Sequence, residues 1–89
     1  MTKANDMKNR LPLPINTIKE MQSLIEKHSG NLWICNPLKN IVKDLIDYEY
    51  LEAIKGINFL KENKGYSDLM DFEKNIKSIL AAKKRYDAI

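Results

Sequence analysis

The sequence predicts an all-α fold: a small bundle of three to four helices behind a flexible N-terminal arm. Three observations lead there. Apolar residues recur at intervals of three and four through most of the chain, as one buried helix face requires. Only three Gly and three Pro occur in 89 residues, too few for the many turns of a β sandwich. Leu, Ile, Lys and Glu are abundant, and their long side chains favour helix. With 44% hydrophobic residues and a net charge of +3, the composition is that of a globular chain, not a disordered one. The length suits a single domain that buries roughly 60–65% of its unfolded surface.

Residues 1–14 read as the arm and residues 15–89 as the helical domain. Lys3, Lys8 and Arg10 make the arm basic. "LPLP", residues 11–14, favours extended geometry, because each Pro fixes its own φ and restricts the residue before it. Leu11 and Leu13 are placed to dock on the body as an apolar strap.

A first helix is expected from an Asn16 N-cap to about His28, with Ile15, Ile18, Met21, Leu24, Ile25 and His28 on one face. Lys27 and His28 suit the negative end of the helix, and Gly30 is the expected left-handed terminator. A second helix is expected from Asn36 as cap and Pro37 as first helical residue. Its stripe of Leu38, Ile41, Val42, Leu45 and Ile46 does not run straight into Tyr50, Leu51, Ile54 and Ile57. The latter are rotated by roughly a third of a turn, which predicts a bend or break at "DYEY", residues 47–50, with Asp47 as a cap. Gly56 weakens the next helix unless it marks a close approach. Gly65 is the expected stop. Ser67 is the expected cap of the last helix, whose buried face is Leu69, Phe72, Ile76, Ile79, Leu80 and Tyr86.

The composition also excludes chemistries. Cys35 is the only Cys, so no intramolecular disulfide forms. No apolar run approaches the ~18–20 residues of a membrane span, and the N-terminus has no secretory-type apolar segment. A cytoplasmic protein without a membrane partner is the expectation.

"GNLWICNP", residues 30–37, holds the only Trp and the only Cys. Cys35 ahead of a helix could be a nucleophile, or with His28 a metal ligand, but both chemistries need more partners than one Cys and one His supply. Trp33 could be an exposed anchor for a partner. The plainest reading is a joint, with Leu32, Trp33 and Ile34 plugging the gap between two helices and Cys35 buried as a small hydrophobe. Asp44, Asp47, Glu49 and Glu52 read as a solvated acidic face. Lys74, Lys77, Lys83, Lys84 and Arg85 form a basic run near the C-terminus, which makes the molecule bipolar in charge.

No catalytic, cofactor or metal residues are assigned, because no phosphate loop, nucleophile motif or metal-binding motif occurs. The functional expectation is a non-enzymatic regulator or adaptor that takes no small-molecule substrate. It would bind another protein, or itself, through Trp33, Tyr48, Tyr50, Leu51 and Phe59. Tyr48, Tyr50, Leu51 and Phe59 on the middle segment point in more directions than one buried stripe uses. The alternative is a nucleic-acid-binding regulator using Lys74, Lys77, Lys83, Lys84, Arg85 and Tyr86, with cations on phosphates and the Tyr stacked on a base.

Overall fold

A computed structural model describes residues 11–89. They form four α-helices, α1 (Ile15–Lys27), α2 (Leu32–Ile46), α3 (Tyr50–Glu62) and α4 (Phe72–Asp87), with a 3-10 turn at Lys64–Tyr66. No strand occurs among the described residues. The expected all-α bundle is what the chain builds, and the middle segment is two helices. Residues 1–10 of the arm lie outside the described residues. The rest of the arm is docked: Leu13 packs on the core, Pro14 is buried, and the Tyr50 hydroxyl donates to the Pro12 carbonyl.

Helix α2 lies at the centre. It packs against α1 on one side and α3 on the other, and α4 closes the bundle over α3 and α1. Met21, Leu38, Ile41, Leu45, Ile57, Leu60 and Ile79 are completely or almost completely buried where these helices meet. Gly56 is a contact point rather than a weakness. A Cβ there would sit 2.7 Å from Ile41 Cγ1 and 3.2 Å from Cδ1, so α3 approaches α2 as closely as a bare backbone allows.

The break between α2 and α3 falls within the expected "DYEY". Asp47 does not cap the new helix; it ends the old one. The Tyr48 N–H donates to the Leu45 carbonyl and the Glu49 N–H to the Asp44 carbonyl, the paired bonds of a Schellman closure. That closure needs a left-handed residue, and Tyr48 supplies it at φ 62°. A Tyr in this region costs about 1–2 kcal/mol, so side-chain contacts must hold it there.

Several sequence expectations are corrected. Helix α1 starts two residues early, with Pro14 and not Asn16 at the cap position, and Ile15 is half exposed while Thr17 is buried. Gly30 is not left-handed; the chain leaves α1 through a turn in which the Asn31 N–H donates to the His28 carbonyl, and α2 follows at once. Helix α2 is capped by Asn31, whose Oδ1 accepts the Trp33 N–H, so Asn36 and Pro37 lie inside the helix. Helix α3 stops at Glu62, and Gly65 sits in the 3-10 turn instead. Asp71, not Ser67, caps α4, its Oδ1 accepting the Lys74 N–H at 3.0 Å. Leu80 is exposed, while Asn75 and Ala82 take up core positions on α4. Asn75 donates to the Asp71 carbonyl and to Glu20, so its buried amide is satisfied.

Candidate functional site

Asn31 caps α2 so that the helix begins with the first residue of "LWIC", and this decides where those side chains go. Four consecutive helical residues cover the full circumference, so they cannot all face inward. Cys35 is buried and Ile34 half-buried against the core, whereas Leu32 is 63% and Trp33 82% exposed. The expected plug is therefore corrected. Ile34 and Cys35 form the joint, and Leu32 and Trp33 stand outside it.

Pro37 then shapes the site. Lacking an N–H, it leaves the carbonyl four residues earlier, that of Trp33, without its intrahelical bond. The Tyr66 hydroxyl donates to that carbonyl at 2.6 Å. The first turn of α2 is thereby tied to the 3-10 turn that follows α3. Asn63 supports the same turn by accepting the Gly65 N–H at 3.1 Å. Between these pieces runs an open groove of about 750 Å³, bounded by Leu32, Trp33, Ile34 and Pro37 on α2, by Phe59 on α3, and by Tyr66. Phe59 is 60% exposed. Asn31, Asn36, Asn63 and Gly65 complete the lining, and none of the lining residues carries a charge.

Of the expected protein-binding residues, the structure brings together Trp33 and Phe59. Leu51 is exposed but lies outside the groove lining. Tyr50 is buried, which removes it from any contact surface. Tyr48 and Tyr50 belong instead to a ring cluster at the other end of the α2–α3 pair. Tyr86 stacks on Tyr48 with centroids 5.7 Å apart and meets Tyr50 at 5.4 Å. These contacts hold Tyr48 in its left-handed conformation. Burial pushes the Tyr50 phenol above its ordinary pKa, reinforced by Tyr48, Tyr86 and Asp87 and opposed by Arg85.

The same stack sets Tyr86, near the C-terminal end of α4, against the corner between α2 and α3. Lys83 pairs with Asp87. Lys74, Lys77, Lys84 and Arg85 are exposed on α4 and make no ion pair among the described residues. Tyr86, expected as a base-stacking ring, has its face against Tyr48.

Cys35 joins helices. Its thiol donates to the carbonyls of His28 at 2.9 Å and Ile25 at 3.4 Å, acceptors at the end of α1. It meets the His28 backbone, while His28 itself borders a separate shallow cleft with Lys27, Lys64 and Asp68. Among the described residues, no three His, Cys, Asp or Glu side chains gather where they could share a metal ion. Nor is any described helix long and apolar enough to cross a membrane.

Sequence reasoning missed Leu32, Pro37 and Tyr66 as parts of the site. One signal was present: a Pro after an apolar run can lie inside a helix if another donor serves the freed carbonyl. Nothing in the local sequence names Tyr66 as that donor. Comparison with protein-family models, curated proteins and solved structures finds no match to this chain.

Proposed function

We propose that this chain is a small non-enzymatic regulatory or adaptor protein that binds another protein molecule through the groove bordered by Leu32, Trp33 and Phe59. One observation carries the reading. The chain's only Trp is 82% exposed on a helix whose backbone is fixed by the Tyr66 bond, beside a second exposed aromatic ring. Exposed aromatic side chains on a fixed backbone beside an apolar groove are the usual anchors of protein recognition. Burying them in a partner recovers the hydrophobic stabilisation that their exposure forgoes. Uncharged lining favours an apolar, uncharged segment over a strongly charged one.

The test is comparative capture from the native host with wild type, W33A/F59A, and K74A/K77A as a control on a distant surface. A partner lost on W33A/F59A and retained on K74A/K77A supports the reading. A partner kept equally by all three opposes it. Helical circular dichroism unchanged in each variant certifies that the fold is intact.

The exposed stripe of Lys74, Lys77, Lys84 and Arg85 supports a second reading, nucleic-acid binding along α4. Four phosphate contacts give a slope of log affinity against log salt of about −3.6 on duplex DNA. K74A/K77A reduces that slope by roughly half. Absence of binding at low salt removes this reading.

A further inference from the structure

We infer that the occupant of the Leu32–Trp33–Phe59 groove is a second copy of this chain, joined by a two-fold axis. The inference rests on the proposed reading of that groove as a protein-binding face and names its partner. Three features of the face select a copy of itself.

The first is shape. A two-fold contact requires one patch to be complementary to itself. This patch carries both halves of such a fit. Trp33 is 82% exposed along one wall of the groove, and the groove of about 750 Å³ is large enough to receive an indole ring. Each copy can therefore insert its Trp33 into the groove of the other.

The second is charge. The chain carries a net +3, and two copies meeting through the cations of α4 repel. None of the groove lining is charged, so two copies meet there without placing like charges in contact. Its rim of Asn31, Asn36 and Asn63 is made of carboxamides, which both donate and accept and so pair with their own kind.

The third is area. Aromatic side chains bury about 150–250 Å² each when fully covered. At their exposures, Trp33, Phe59 and Leu32 together offer about 400 Å² of apolar surface per copy. A standard specific interface takes about 800 Å² from each partner, with an apolar centre and a polar rim. The three side chains supply such a centre and the asparagines such a rim.

Sedimentation equilibrium of the full chain from about 1 to 300 μM spans weak and moderate dimers. The inference expects a reversible monomer–dimer equilibrium for wild type, and at least a tenfold weaker association for W33A and for F59A. Trp33 and Phe59 are exposed in the single chain, so both variants retain the helical spectrum. A wild type that stays monomeric throughout overturns the inference. So does a dimer that W33A and F59A leave unchanged. The naphthalene dye ANS, titrated onto the monomeric protein, separates this failure from failure of the binding face. Saturable dye binding lost in W33A/F59A leaves the face standing with another partner. If that binding is absent as well, the face falls with the inference.

Discussion

The bond from Tyr66 to the Trp33 carbonyl leads to a prediction about two residues far apart in sequence. Pro37 leaves that carbonyl without a helical donor, and the Tyr66 hydroxyl takes the donor's place at 2.6 Å. Replacing Tyr66 with Phe keeps the ring and removes only the hydroxyl. The loss of one net hydrogen bond, with the carbonyl left partly shielded from water, costs about 1–2 kcal/mol. With a urea m-value of about 1 kcal/mol/M for a small domain, the midpoint falls by about 1–2 M. P37A restores an N–H four residues after Trp33 and gives the carbonyl its helical partner. In that background Y66F should cost only a few tenths of a kcal/mol. The double-mutant cycle therefore yields a coupling energy of about 1 kcal/mol. Urea unfolding followed by far-UV circular dichroism measures all four proteins. Equal costs of Y66F in both backgrounds would refute the claim that Tyr66 substitutes for the missing proline N–H.

Three further predictions concern other parts of the fold. G56A should destabilise the protein by up to about 2 kcal/mol, because overpacking against buried Ile41, at about 1–3 kcal/mol, outweighs the roughly 1 kcal/mol gained in helix propensity; a raised melting temperature would show that α2 and α3 separate easily. Tyr50 ionises less readily in the fold than in the unfolded chain. Its contribution is therefore complete below the unfolded pKa of about 10 and is lost as pH climbs through the higher folded value. Stability followed from pH 8 upward should fall beyond about pH 10, and Y50F should flatten part of that fall; identical profiles would count against the burial of this phenol. Cys35, 1% exposed with its thiol on two backbone carbonyls, should react with a disulfide reagent only as fast as α1 and α2 part. Reaction at the rate of the urea-unfolded chain would place the thiol at the surface.

The helix count and the break were readable because they depend on local pattern. The turn of the apolar stripe between Ile46 and Tyr50 marks a change of neighbours, and the chain breaks there. Tyr48 as the left-handed residue was not readable, since a glycine is the usual signal and the stabilising partner, Tyr86, is remote in sequence. The helix starts were misplaced for one shared reason. Asn36–Pro37 and Ser67 are good caps by themselves, but Asn31 and Asp71 stand where tertiary contacts start the helix. Moving the start of α2 from Pro37 to Leu32 turned an expected plug into an exposed face. Trp33 and Phe59 were legible as surplus apolar residues, yet their meeting across α2 and α3 depends on the antiparallel pairing at Gly56 and on the Tyr66 bond. Asn75 and Thr17 were missed because polar residues inside a small core satisfy themselves through contacts that no periodicity announces.

The central claim is that an exposed aromatic face on a fixed stretch of helix is kept in water in order to be covered by protein. Trp33 is the chain's only Trp, so its fluorescence reports on that face alone. Acrylamide quenching should be close to that of free indole in dilute solution. It should drop several-fold as the protein is concentrated into its dimer, or as a captured partner is added to the dilute chain. Quenching that stays at the free-indole level under both conditions would contradict the account, and strong protection already present in the dilute monomer would contradict it equally.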